Sequence, residues 1–330
     1  MATLVTGGAG YIGSHMVLEL LDAGEQVVVL DNLSTGVRAN VPAAATLVVG
    51  DVGDQELVRD LARRHDLTAV IHFAGSIVVP DSVVDPLGYY LNNTVKSRAL
   101  IEAVIAAGVK HFIFSSTAAV YGMPDTGPVS EDSPLQPMSP YGSSKLMTEI
   151  MLADAARAHD FHYVALRYFN VAGADPKGRS GQSTPRATHL IKVACETVLG
   201  KRDHMDVFGT DYPTRDGTCI RDYIHVTDLV RAHSAALAHL RSGGTSQVFN
   251  CGYGRGYSVL EVVETVRRVS GLALDARLAP RRAGDPASIV AASAKIRDAL
   301  GWQPRLDDLD EIVTHALAWE RKLAAGVKSA

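Results

Sequence analysis

The segment Thr6-Gly7-Gly8-Ala9-Gly10-Tyr11-Ile12-Gly13 constrains this chain more than any other. It joins a short apolar run, residues 2–5, to an amphipathic stretch, residues 11–23. A G-x-G-x-x-G spacing begins at Gly8, and Gly7, Gly10 and Gly13 recur every third residue. Glycines let the backbone turn tightly and come close to a pyrophosphate. The helix that follows turns free N–H groups and its positive dipole end on the phosphates. Strand, loop and helix in this order point to the first turn of a dinucleotide-binding sheet.

The rest of the first half agrees. Apolar runs at residues 26–30, 46–49, 69–73 and 111–114 read as strands, and residues 54–64 and 90–107 as helices between them. That alternation predicts right-handed crossovers and a doubly wound parallel α/β sheet of Rossmann type, covered on both faces. A helix is expected over 141–158, opened by Ser139-Pro140, and a strand over 161–167. After Asn170 the pattern changes. Residues 171–185 are rich in Gly, Pro, Ser and Asp and read as a loop or domain switch. Alternation returns with a helix at 228–241, a strand at 247–250 and a helix at 258–270. The expected organisation is a dinucleotide-binding domain over 1–170 plus about 222–250. A smaller, interleaved α/β substrate domain takes about 171–221 and 251–330.

Asp31 ends the second strand, 18 residues past Gly13. A carboxylate there accepts hydrogen bonds from ribose hydroxyls and repels a 2′-phosphate, which favours NAD over NADP. Asp51-Val52 sits at the end of the third strand, where it either meets an adenine or caps a helix. Tyr141 and Lys145 stand at i and i+4 of a predicted helix and share a face. A free phenol, with a pKa of about 10, is a poor base at neutral pH. A neighbouring ammonium and a positive nicotinamide ring favour the phenolate. The pair then suits removal of an alcohol proton while a hydride leaves the same carbon. Ser115-Ser116-Thr117 follows the fifth strand, and a hydroxyl of Thr117 or Ser116 can hold a substrate oxygen towards Tyr141.

Composition removes other classes. The net charge is -4 and no Lys/Arg run marks a nucleic-acid or membrane surface. No apolar run is long enough for a membrane span, and no secretory signal precedes the first strand. Cys195, Cys219 and Cys251 are far apart and odd in number, as expected of inert thiols in a reducing cytoplasm. The histidines lack paired ligand spacing, so no metal is expected.

These residues resemble the extended short-chain dehydrogenase/reductase family, and within it the nucleotide-sugar epimerases. The resemblance spans nearly the whole chain: TGGAGYIGSH (6–15), DNLSTG (31–36), HFAG (72–75), SSTAAVYG (115–122), SPYGSSK (139–145), RYFNVAGA (167–174), DYPTRDGTCIRDYIHV (211–226) and PRRAGD (280–285). It implies NAD as cofactor and inversion at C4 of a UDP-hexose, interconverting UDP-glucose and UDP-galactose through a 4-keto sugar. Thr117, Tyr141 and Lys145 would form the catalytic set. Gly7, Gly10, Tyr11, Ile12, Gly13, Asp31, Asn32, Asp51 and Val52 would hold the adenosine diphosphate half of NAD. Phe73, Ala74, Gly75, Asn93, Ser115, Tyr141, Lys145 and Tyr168 would line its nicotinamide half. Phe169 and Asn170 would sit near the sugar, and Thr188, His189, Leu190, Val207, Phe208 and Tyr223 would approach the nucleotide-sugar. Arg221 and Arg282 would clamp the diphosphate, and Asp285 would bond the uridine ribose. A homodimer through residues 90–107 and 141–158 is also implied.

Two positions depart from the family. Ile77 stands where a Lys is often found, and Ile289 takes a sugar-pocket position that varies between bulky and small side chains. The same fold also hosts dehydratases, which carry an acidic pair just after the Thr; Ala118-Ala119 here cannot transfer protons. UDP-glucuronate or an N-acetylated UDP-sugar is the alternative substrate. A non-catalytic NAD-binding regulator is disfavoured by the intact Thr117, Tyr141 and Lys145.

Overall fold

The computed structural model describes residues 2–124, 127–184, 187–282 and 284–326. Pro185, at the end of the expected loop, and Ala283, within the PRRAGD segment, lie outside the described residues.

The first half runs β1 (Ala2–Thr6), α1 (Tyr11–Asp22), β2 (Gln26–Asp31), β3 (Thr46–Val49), α2 (Gln55–His65), β4 (Leu67–His72), α3 (Val79–Val84), α4 (Pro86–Tyr89), a π-helical turn (Tyr90–Val95), α5 (Lys96–Ala106), β5 (His111–Thr117), α6 (Pro140–Ala158) and β6 (His162–Tyr168). The second half runs β7 (Asn170–Ala172), α7 (Leu190–Val198), β8 (Met205–Phe208), β9 (Ile220–His225), α8 (Val226–Arg241), β10 (Gln247–Cys251), β11 (Gly256–Ser258), α9 (Val259–Ser270), β12 (Ala276–Ala279), β13 (Ser288–Ile289), α10 (Ala294–Leu300) and α11 (Leu309–Ala324).

Seven strands form one parallel sheet in the order β10-β6-β5-β4-β1-β2-β3. β1 and nearly all of β2, β4 and β5 are buried, as a parallel sheet covered on both faces requires. One face packs Met16, Val17 and Leu20 of α1 and Leu229, Val230 and Leu237 of α8 into a core that continues into the second half of the chain. The other packs Leu61, Leu100, Val104 and Leu152 from α2, α5 and α6. Strand order reverses between β1 and β4, so a crevice opens at their carboxyl ends. Local signals set the helix starts. Pro140 sits in the first turn of α6, and Ser139 Oγ accepts the Gly142 N–H at 3.2 Å.

The second half adds a four-stranded sheet, β11-β9-β13 with β7 also on β9, and a two-stranded β8–β12 pair. A single residue, Phe169, separates β6 in the large sheet from β7 in the small one. Its ring lies in a small third core with Ala118, Val120, Tyr121, Val129, Ile289 and Ala291.

Some expectations are corrected. Ser115-Ser116-Thr117 completes β5 rather than following it. Phe73 lies past the end of β4. The stretch expected as one helix over 90–107 opens with the π turn. Residues 171–172, read as loop, belong to β7. α3, α4, α7, α10, α11 and the strands β8, β9 and β11 to β13 were not anticipated.

Candidate active site

The glycine loop leaves room only for bare backbone. Gly7 turns the chain at φ +69°, and its N–H bonds the Leu30 carbonyl at 2.9 Å. A Cβ on Gly7 would stand 2.7 Å from the Ala74 nitrogen, and one on Gly13 would run into the Gly7 carbonyl. α1 begins with Gly10 as its cap and no side chain capping it. The first-turn N–H groups at Tyr11, Ile12 and Gly13 therefore face outward as donors for an anion. The Tyr11 hydroxyl instead donates to the Gly173 carbonyl at 2.7 Å, tying the loop to the chain beyond β7.

Asp31 is buried at the end of β2. Oδ2 accepts the Ala9 N–H at 2.9 Å and Oδ1 the Leu33 N–H at 2.8 Å. Each oxygen keeps a lone pair for a ribose hydroxyl. Neighbouring Asn32 accepts the Ser34 N–H at 3.0 Å. Asp51 does not cap α2; that cap is Asp54, which accepts the Leu57 N–H at 3.0 Å. Asp51 instead pairs with Lys96 at 2.5 Å and accepts the Gly53 N–H at 2.8 Å. Burial pushes its carboxyl up, but Lys96 and that N–H outweigh it and hold the pKa below the usual range. Val52, beside it, is buried in the core.

Tyr141 and Lys145 lie buried on one face of α6, below the carboxyl ends of β4 and β5. Lys145 Nζ donates to the Ser115 carbonyl at 2.9 Å and stands 5.0 Å from the centre of the Phe114 ring. Burial pushes its ammonium down to about 8, with Glu149 acting against the shift. Burial also raises the Tyr141 phenol above its usual range; hydrogen bonding with Thr117 opposes this, and Tyr89 adds to it. The protein alone therefore does not depress the phenol, contrary to the expectation from the i, i+4 spacing. Thr117 Oγ1 also accepts the Ala119 N–H at 3.1 Å. Ser116 is not an alternative to Thr117, because its hydroxyl is fully buried and donates to Glu149.

Asn93, in the π turn, fixes the floor beside them. Its Oδ1 accepts the Ser76 N–H at 2.7 Å, while Nδ2 donates to the Ser76 carbonyl and Ser144 Oγ, each at 3.0 Å. A π turn of this kind is frequent at functional sites. A Cβ on Gly75 would lie 3.0 Å from Asn93 Oδ1 and 3.8 Å from Lys145 Nζ. Phe73 and Ala74 lead into that turn, the Phe73 N–H bonding the Thr6 carbonyl at 3.1 Å. The Phe73 ring lies 4.9 Å from that of buried His233. Tyr168 bonds Ser115 Oγ through its hydroxyl.

A second group of residues assembles around the small sheet. Asn170 pairs with Tyr223 between β7 and β9. Both line a small pocket with Gln182, His189, Leu190 and Trp319. Gln182 and His189 are 2.8 Å apart. Further along, the Arg282 guanidinium lies 4.7 Å from the Phe208 ring centre and donates to Asp285 at 2.9 Å. Arg221 approaches the same carboxylate at 3.9 Å and donates to the Pro286 carbonyl at 2.8 Å. Phe208, Arg221, Arg282 and Asp285, more than 70 residues apart at the extremes, are thus brought together. Val207 is buried behind Phe208 in β8, and Thr188 is exposed before α7. Ile77 is exposed, and Ile289 is buried in the small core that also holds Phe169.

Sequence reasoning missed Lys96, Ser76, Gln182, Trp319 and His233. Only Glu149 had a readable signal, because it stands four residues past Lys145 on the same helical face.

Known proteins match this arrangement closely. A UDP-glucose 4-epimerase of Azospirillum brasilense is 59% identical over 99% of this chain and 94% of its own length. The crystal structure of a Brucella ovis UDP-glucose 4-epimerase in complex with NAD superposes with a TM-score of 0.94 at 44% identity, covering 96% of this chain and 97% of the other. The structure of a Campylobacter jejuni UDP-Glc/GlcNAc 4-epimerase gives 0.85 at 49% identity, covering 97% and 99%. The model of the NAD dependent epimerase/dehydratase family matches residues 3–252, and the chain belongs to that family.

Proposed function

We propose that this chain interconverts UDP-glucose and UDP-galactose by inverting C4 of the sugar, with NAD as its cofactor. One observation carries the reading: the buried Tyr141–Lys145 face and Thr117 stand at the carboxyl edge of a parallel sheet whose glycine loop admits only backbone. The cradle suits NAD. Gly7, Gly10, Tyr11, Ile12 and Gly13 would hold the pyrophosphate. Asp31 and Asn32 would take the adenosine ribose, and Asp51 and Val52 the adenine. Phe73, Ala74, Gly75, Asn93, Ser115, Lys145 and Tyr168 would hold the nicotinamide half.

When bound, NAD supplies the hydride acceptor and donor for C4, and a positive ring that favours the phenolate. Tyr141 takes the proton of the sugar 4-hydroxyl and later returns it, and Thr117 orients that oxygen. The phenol needs positive charge nearby, because burial alone raises it; the Lys145 ammonium, four residues on, is the protein's contribution. The 4-keto sugar has a planar C4 and can present either face. Arg221 and Arg282 hold the diphosphate meanwhile, through forks of donors suited to phosphate oxygens. Asp285 and Phe208 receive the uridine, with buried Val207 backing Phe208 and Thr188, His189 and Leu190 alongside, and Phe169, Asn170 and Tyr223 border the sugar. Binding energy from the remote nucleotide thus retains an intermediate whose reacting part is loosely held.

Residues 1–170 with about 222–250 form the cofactor half on this reading, and about 171–221 with 251–330 the nucleotide-sugar half. The strand β10 at the edge of the large sheet, and α8 packed on it, support the return of the chain. A cytoplasmic location is supported by three free, buried cysteines; among the described residues no helix is long and apolar enough to cross a membrane. The deciding assay incubates purified protein with UDP-galactose, without added NAD, and follows UDP-glucose. No conversion, even with NAD supplied, would sink the assignment.

A further inference from the structure

The catalytic face of α6 continues one turn beyond Lys145 to Glu149, a buried carboxylate that the proton transfer does not use. Glu149 takes two partners that are themselves cross-strand neighbours: Ser116 of β5 and Arg167 of β6 are paired in register. Oε1 accepts from Ser116 Oγ and from Arg167 Nε at 3.0 Å, and Oε2 accepts from Arg167 Nη2 at 2.6 Å. Arg167 Nη1 donates to the Tyr121 hydroxyl at 3.0 Å, which donates to Asn250 Oδ1 at 2.6 Å. Asn250 Nδ2 reaches the Val129 carbonyl at 2.8 Å, and Val129 bonds the Val290 carbonyl through its N–H at 2.9 Å. One carboxylate therefore ties α6 to the ends of β5 and β6, and through them to the strand that carries Ile289.

We propose that Glu149 is a positioning residue, which clamps Ser116 so that its neighbours, the Ser115 carbonyl and Thr117, stay against Lys145 and Tyr141. Two facts argue for function beyond packing. A buried ion pair is weak evidence for stability, since desolvation cancels much of its attraction. And Ser116 lies between the two residues that contact the catalytic pair. Around Lys145 stand buried Tyr141 and Glu149 on its own helix, the Ser115 carbonyl and Phe114 ring of β5, and Gly75 with Asn93 beside it, while His72 of β4 is near enough to feel its charge. Arg167 and Tyr168 of β6 stand behind Glu149 and Ser115. His72 is held neutral by burial, at a pKa of about 3. Glu149, four residues on along the same buried face, opposes the fall of the Lys145 ammonium.

This inference rests on the Tyr141–Lys145 reading, so its test includes a measurement that needs no turnover. Glu149→Gln keeps reach and removes charge; Glu149→Asp keeps charge and shortens reach. In Glu149→Gln the Lys145 ammonium, followed by ¹³C-lysine NMR and assigned by its loss in Lys145→Met, should titrate about one pH unit lower. The alkaline limb of kcat/KM should move down with it. Glu149→Asp should keep that limb and lose about tenfold in kcat through misplacement. A Glu149→Gln protein that melts earlier yet leaves the Lys145 titration and both pH limbs in place overturns the proposal. Should that variant fail to fold, Ser116→Ala decides. A lower kcat with KM for UDP-galactose unchanged supports the clamp, and an unchanged kcat overturns it.

Discussion

On the proposed mechanism the Tyr141 hydroxyl is both a base and buried, and these demands conflict. Burial stabilises the neutral phenol, so the positive charge that makes it a base has to come from outside the ring. Replacing it tests the assignment directly. We expect Tyr141→Phe to lower turnover of UDP-galactose by about 10²- to 10⁴-fold, the usual worth of a positioned acid/base group. Bound NAD in the purified variant, measured after denaturation, should stay near the parent level. Turnover within a few-fold of the parent would remove Tyr141 from the mechanism. Spacing made the Tyr141–Lys145 pair legible, because i and i+4 share a face in any helix. It did not reveal the direction of the phenol's shift, which depends on what covers the helix. Nor did it choose between Ser116 and Thr117. That choice follows from alternation along β5, which turns Ser116 towards α6 and Glu149.

Elements of the first half were legible for a physical reason. Buried parallel strands are short apolar runs, and the helices between them show a two-faced pattern, so both survive reading from sequence alone. β9 did not, because it carries Arg221 and Asp222 within six residues and takes partners from β7, β11 and β13, distant in sequence. The Asp51–Lys96 pair was equally hidden: nothing in a lone helix Lys names a carboxylate 45 residues upstream. The apolar surface of α3, α4, the π turn and α6 has a different meaning. Val84, Leu87, Leu91, Val95, Met147 and Ile150 are all exposed there, with Val84 at 86% and Leu87 at 77%. Leu87, Leu91 and Val95 repeat at i, i+4 and i+8, on elements that pack beside α6. We propose that a second copy of this chain covers the stripe, giving a homodimer. Leu91→Glu should then halve the mass seen by sedimentation equilibrium at micromolar concentration. A parent chain that already sediments as a monomer would refute it.

At the scale of the whole molecule, four imidazoles are folded into places where burial disfavours their charge. Burial lowers His72 and His225 to about 3, and His15 and His233 to about 4. In the unfolded chain each titrates near 6.5. Between those values the unfolded state binds more protons, so stability rises with pH. The contribution is complete above about 6.5 and is lost as pH falls towards 4 and then 3. Each group adds up to about 1.4 kcal/mol per pH unit inside that window. Urea unfolding at pH 7 and at pH 5, above the range where most carboxylates titrate, should therefore show a large drop in stability; equal values would contradict burial of these rings. The joining of the two sheets has a last consequence. Because β6 passes into β7 through Phe169 alone, with that ring in the small core that also holds Ala118 and Ile289, there is no slack length of chain at this crossing to serve as a pivot. On the proposed function, the two walls beside the hexose are stitched together at that point. The half-revolution that exchanges its faces then falls to the guest, as the proposed 4-keto route requires.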